Sequence, residues 1–184
     1  MEIKITPKQI LKVLHVVSWI IFIGLCIEAG GILTNVFFTL VINANAASNF
    51  WGEINLLSLV SYDKGHFMTI TFLMSIVAIL KVILFYLIVK ILHDKKIDFS
   101  QPFNNDVTRF IANISYIAVG IGLFSQWGAK YTDWLVTKGV TMPNLQNLHF
   151  EGADVWMFMG IVLLVIVQIF KRGVEIQSEN ELTI

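Results

Sequence analysis

This sequence predicts an all-α fold, a four-helix bundle embedded in a membrane with its N- and C-termini cytoplasmic. Three observations predict it. Of 184 residues, 56% are hydrophobic and only 14% are charged, whereas soluble domains carry about 45–50% and about 25%. Mean hydropathy is +0.73, concentrated in four long runs. The three prolines, Pro7, Pro102 and Pro143, all fall outside those runs, where a missing backbone donor does no harm.

A crossing helix needs about 20 mainly apolar residues. The first run is Val13–Ile42, the second Phe67–Leu92, the third Val107–Gly128 and the fourth Val155–Phe170. The fourth is the shortest and can lengthen into its flanks, with Lys171 and Arg172 reaching back toward water. The N-terminal end of the first run has the basic flank of a secretory leader, and Ala44-Asn45-Ala46 has the shape of a cleavage site. The apolar region between them is about twice the usual 7–15 residues and contains Glu28, so it reads as a span. The chain is therefore a single membrane domain over 1–184, with 171–184 as a cytoplasmic tail.

Orientation follows the basic residues. Lys4, Lys8, Lys12, Lys90, Lys95, Lys96, Arg109, Lys171 and Arg172 fall on one side, against Lys64, Lys130 and Lys138 on the other. The richer side is cytoplasmic. Trp51, Trp127, Trp134 and Trp156 cluster toward the opposite boundary, where indole rings favour the interface. The two outer loops, about 44–66 and 129–154, are long enough for short helices lying on the surface, and 50–60 is a candidate.

In the interior of the four runs, away from their ends, the only acid is Glu28 and the only base is Lys81. Each lone charge at mid-bilayer costs about 2.5–3.5 kcal/mol on the insertion scale, so pairing is favoured. Counted from the inner edge at 1.5 Å per residue, Glu28 lies about 20 Å deep and Lys81 about 14 Å, within reach of a lysine stem. Gly24, Glu28, Gly31 and Asn35 share one helix face, where glycines let neighbouring helices approach. Asn113, Tyr116 and Gly120 form a similar face on the third run, and Gln168 adds a polar group to the fourth. Two readings stay open: an ion pair that fixes helix register, or a proton or ion site. Transport through one such chain would call for a homo-oligomer.

Other chemistries find little footing. The equal numbers of acids and bases give no bulk charge for nucleic acid. One cysteine, Cys26, excludes an internal disulfide. His15, His66, His93 and His149 are too scattered for a zinc pattern, and the sequence has no activated nucleophile arrangement or phosphate-binding loop. No enzyme activity and no cofactor are expected; the lipid bilayer is the expected partner.

The remaining signal is at the cytoplasmic face. In 99–110 Pro102 forces an extended turn, and Asn104 to Asp106 can cap the next helix. In 169–184 Lys171 and Arg172 complement a helix C-terminus and Gly173 is a candidate C-cap. Glu175, Glu179 and Glu181 then alternate with Val174, Ile176, Leu182 and Ile184, a tail suited to a basic, partly apolar partner, or to folding back on Lys95, Lys96 and Arg109. Pro102, Phe103 and Arg109, with Phe170-Lys171-Arg172-Gly173 and Glu179-Asn180-Glu181-Leu182-Thr183-Ile184, resemble the uncharacterised bacterial four-span membrane family called domain of unknown function 2975. Members often have a gene for a small helix-turn-helix regulator beside them. The resemblance implies a sensory or regulatory membrane protein whose cytoplasmic face, loop 93–109 and the acidic tail, docks such a regulator. Arg109, Lys171, Arg172, Glu175, Glu179 and Glu181 are the docking candidates, and the Glu28/Lys81 pair carries the alternative of an ion, proton or small-solute transport component.

Overall fold

The computed structural model describes residues 7–94 and 103–181. Five α-helices follow one another: α1 (Pro7–Phe37), α2 (Leu57–Tyr62), α3 (Lys64–His93), α4 (Asn105–Thr137) and α5 (Ala153–Glu181). Four of them are long and apolar enough to cross a membrane, so the chain is a multi-pass membrane protein. Helix α1 runs on through a π-helical turn at Phe38–Ile42, giving a rod of about 54 Å at 1.5 Å per residue. Asn104, one of the capping candidates, accepts a hydrogen bond from Val107 N at 2.8 Å and starts α4. Asp63 caps α3 in the same way through His66 N at 2.9 Å.

The spans alternate in direction, because side chains pair antiparallel along each seam. His15 meets His93 and Phe22 meets Tyr86 between α1 and α3; His66 meets Tyr131 between α3 and α4. Both described ends of the chain therefore lie at one end of the molecule (the terminal end), and segments 43–63 and 138–152 lie at the other (the loop end). Packing follows chain order: α1 lies on α3, α3 on α4 and α4 on α5. Helices α3 and α4 are central, with 39% and 33% of their most apolar stretch buried, against 6% and 11% for α1 and α5. Ile20 on α1 and Phe158 on α5 face outward at 66% and 70% exposure, as lipid-facing residues should.

Two differences from the sequence reading concern length. Helix α4 runs to Thr137, well past Gly128, and α5 runs to Glu181, well past Phe170. Gly173 is not a C-cap: it sits inside α5, and a side chain there would collide with the Phe103 ring. A third difference concerns the loop end. Within 50–60 only the residues from Leu57 onward are helical, and they are not laid on a surface. Phe50, Ile54, Leu56 and Leu59 are buried with Phe67, Ile70, Met74, Ile121, Leu135, Leu148 and Phe150 in one core. A tight turn brings Phe50 and Ile54 into paired hydrogen bonds of 2.8 and 3.2 Å, with Gly52 and Glu53 at φ 72° and 62°. The Phe50 and Phe67 rings then meet edge to face at 6.2 Å, a favoured aromatic geometry.

Helices α4 and α5 approach through reciprocal glycines. A Cβ on Gly122 would lie 2.8 Å from Met157 N and 2.9 Å from Ala153 O; one on Gly160 would lie 2.9 Å from Val119 N and 3.1 Å from Ser115 O. Backbone on both sides leaves no room to yield, which is the small-residue mode of helix association in membranes. By contrast Tyr116 and Gln168 are exposed, and Asn113, also exposed, lines a groove between α3 and α4. Replacing Gly122 or Gly160 by Leu is expected to lower stability by about 1–3 kcal/mol. Gly30→Ala, at a position with nothing within 4 Å, should be neutral or slightly stabilising. Thermal unfolding of the purified protein in one detergent checks all three variants.

Candidate functional site

The face of α1 that carries Gly24, Glu28, Gly31 and Asn35 turns toward the loops, not toward another helix. The Trp51 indole lies over Gly31, where any side chain would collide with it. The Asn35 amide donates back to Gly31 O at 2.9 Å. The Glu28 carboxylate meets His149, with Nδ1 at 3.2 Å from Oε1 and both side chains 26% exposed. Antiparallel pairing of Phe22 with Tyr86 brings Glu28, six residues further along, level with Leu80 and Lys81. Lys81 acts electrostatically on both Glu28 and His149. Among the described residues, however, the direct ion-pair contact of Glu28 is to His149. A loop histidine that sequence reading left unassigned is the donor.

The loop is built to deliver it. After Pro143, the Asn144 side chain accepts from Asn147 N at 2.8 Å, and Leu148 N, His149 N and Phe150 N close on Asn144, Gln146 and Leu145 carbonyls. His149 is held at φ 61°, a left-handed conformation that costs a non-glycine residue about 1–3 kcal/mol. Its neighbour Phe150 fills the hollow left by Gly128 on α4. Two successive side chains thus tie α4 to α1 across the open side of the helix row. A cavity of about 380 Å³ lies beside them, lined by Gly24, Ile27, Glu28, Trp51, Gly52, Ile54, Gln146, Asn147 and His149.

Burial pushes the His149 pKa below its usual value; Glu28 opposes this and Lys81 adds to it. The Nδ1 of His149 thus lies 3.2 Å from a carboxylate oxygen of Glu28 on a ring whose charged form burial disfavours. An unfolded histidine binds its proton near pH 6.5, so between that value and the lower folded one the unfolded state holds more protons. The docked loop is therefore fully stable above about pH 6.5 and weakens as pH falls below it.

The other histidines have settled roles. His66 Nδ1 lies 2.6 Å from the Tyr131 hydroxyl, stacked on Tyr62 and edge-on to Trp134. His15 accepts from Trp19 Nε1 at 2.9 Å and packs against His93. No group of three or more His, Cys, Asp or Glu suited to a metal occurs among the described residues.

At the terminal end the two motif stretches meet. The Phe103 ring packs edge-on to Phe170 with centroids 5.3 Å apart and covers Gly173. Arg109 lines a shallow groove of about 160 Å³ between α3 and α4 with Lys90, Asp94 and Asp106. Lys171 is exposed. Arg172 and Glu175, both exposed, pair with each other at 2.8 Å along the same helix, and Glu179 adds its field to Arg172. The first part of the tail is thus a helical extension of α5. Pro102, Lys95, Lys96, the Asn180 and Glu181 side chains and residues 182–184 lie outside what is described.

Hydrogen exchange at the amides of 148–150, corrected for intrinsic rates, should rise as pH is lowered from about 7 to about 5. His149→Asn, which keeps a donor, does not titrate and tolerates the left-handed conformation, should remove that pH dependence.

No curated protein and no solved structure matches the chain. The sequence model of one family matches residues 42–184, a stretch that contains Lys81, His149 and both terminal-end motifs and begins after Glu28. From Pro102 to Ile184 that match takes in every residue on which the resemblance was drawn, so the chain belongs to the DUF2975 family, described as proteins of unknown function.

Proposed function

We propose that this chain is a small, non-enzymatic membrane protein of sensory or regulatory type, seated in a bacterial inner membrane with both termini cytoplasmic. The excess of Lys and Arg at the terminal end supports that orientation. The carrying observation is the seam where Phe103 packs on Phe170 and Gly173. It anchors the root of a helix that continues beyond the apolar stretch with its charged side chains exposed. Glu175 and Glu179 present acid to a partner, and Glu181 follows them in the sequence. Lys171 and Arg172 lie at the base of the same helical extension, while Arg109 lines the neighbouring groove between α3 and α4.

The partner that fits is a small, basic helix-turn-helix regulator, of the kind that the family resemblance implies. The physical logic is tethering: a DNA-binding protein held at the bilayer is withheld from its operators. The loop-end cavity beside Glu28 is where a signal would be read, and the close α4–α5 contact connects that end to the docking helix. Any change in the cavity that shifts α4 against α5 would alter the seam at Phe103.

The full chain in nanodiscs, titrated with a small helix-turn-helix regulator of the kind often encoded beside members of the family, tests this reading. Replacing Glu175, Glu179 and Glu181 together by Gln should weaken binding about tenfold, three exposed charges each being worth up to about 1 kcal/mol. Equal affinity of both forms removes charge-based docking.

A transport component is the second reading, favoured by an ionisable pair within the spans and a cavity that reaches one member of it. It expects Glu28→Gln to abolish a solute or proton flux in proteoliposomes at normal protein abundance. A purely structural Glu28 expects loss of abundance instead.

A further inference from the structure

We propose that the cavity beside Glu28 is a binding site for a small organic ammonium compound, a positively charged nitrogen on a short apolar body. The proposal rests on the sensory reading above for its biological meaning, while the binding itself has a separate test. The cavity, at about 380 Å³, falls in the range of about 300–1,000 Å³ typical of small-molecule sites. Its polar lining centres on a carboxylate. One Glu28 oxygen lies 3.2 Å from His149 Nδ1, and the side-chain amides of Gln146 and Asn147, which can both donate and accept, belong to residues of the same lining.

Charge selects among the ligands that could use those acceptors. Among the described residues lining the cavity, Glu28 alone carries a charge when His149 is neutral; Lys81 acts on it from elsewhere. An anion would meet the carboxylate with no cation on the wall beside it. A neutral alcohol could use the hydrogen bonds but not the charge. A cation gains both, and the Trp51 indole on the same lining is the side chain best suited to a cation over its face. Ile27 and Ile54 complete the lining and suit a short apolar body. A charge-assisted hydrogen bond to a half-buried carboxylate is about twice as strong as a neutral one, which is enough to set the order ammonium over alcohol over carboxylate.

The same chemistry could be a free amine or the ammonium of a lipid headgroup, and the test separates them. Phenethylammonium is titrated calorimetrically into the full chain in phosphatidylglycerol nanodiscs, with phenethyl alcohol and phenylpropionate as comparators of the same size. Saturable binding of the ammonium alone is expected, weakened about tenfold or more by Glu28→Gln. Gly24→Leu supplies the second variant: Gly24 lines the cavity, and a Cβ there meets nothing within 4 Å. The leucine therefore fits the fold, occupies the cavity and should abolish binding. Equal binding of all three compounds overturns the proposal. So does unchanged ammonium binding in Gly24→Leu, or in Glu28→Gln where that variant is folded by circular dichroism. Repeating the titration in phosphatidylethanolamine nanodiscs assigns the source: a lower apparent affinity points to the headgroup as occupant, an unchanged one to a free amine. Loss of amine binding with intact regulator docking removes this site alone, and the converse removes the regulatory reading alone.

Discussion

A carboxylate carried into an apolar helix must be met by donors, and the loop end is organised around meeting this one. An unsatisfied buried charge-bearing group costs more than the about 1–3 kcal/mol of a neutral polar atom. Among the described residues Glu28 has its direct ion-pair contact in a loop, while Lys81 of the neighbouring α3 acts on it only through its field. A loop that descends beside a helix must bury its own backbone without leaving amides unpaired. Segment 143–150 does this with an Asx turn and three short backbone bonds. The left-handed His149 costs about 1–3 kcal/mol, and its close contact with the Glu28 carboxylate is worth about 1 kcal/mol at a partly exposed site. The contact does not outweigh the cost, so burial of Phe150 beside Gly128 decides the balance in favour of the docked loop.

Glycine placement makes this arrangement possible. Gly31 receives Trp51, Gly128 receives Phe150, and Gly173 receives Phe103. In each case an aromatic ring occupies the volume that a side chain would have taken, so helix and loop approach without a cavity between them. Gly122 and Gly160 serve helix-to-helix contact instead, backbone against backbone. Gly24 is the exception, with open space where its side chain would be, and that space is part of the cavity beside Glu28. One helix face therefore combines a sealed position and an open one, seven residues apart.

The two ends of the molecule differ in kind. Most of the buried apolar side chains lie at the loop end, where 43–63 and 138–152 fold over α3 and α4. The terminal end has a thinner set of contacts, among them Phe103 on Phe170 and the His15–His93 pair. Regions with few buried contacts open at lower free energy than dense cores. The loop end is therefore the more firmly held of the two, and the terminal end the more easily opened.

Four crossing helices, their order and their alternating direction were legible from the sequence, because length and apolar content alone decide whether a segment can leave water. So was the unusual status of Glu28 and Lys81, since a charge in such a run stands out whatever surrounds it. The Asn104 cap was legible too, being a local hydrogen bond between near neighbours in the chain. Helix ends were not: α4 continues past its apolar stretch with Thr132 and Leu135 buried, and α5 continues as an exposed extension with the Arg172–Glu175 pair along it. Nor was the role of Gly173, which looks like a stop signal in isolation and is a seat for Phe103 once two distant segments meet. The partner of Glu28 was hidden for the same reason. Sequence can count charges within the spans, but His149 lies in a loop, and only the fold of that loop, fixed by Phe150 against Gly128, brings its ring to the carboxylate. Composition determined that this chain lives in a membrane; long-range packing decided which groups face one another there.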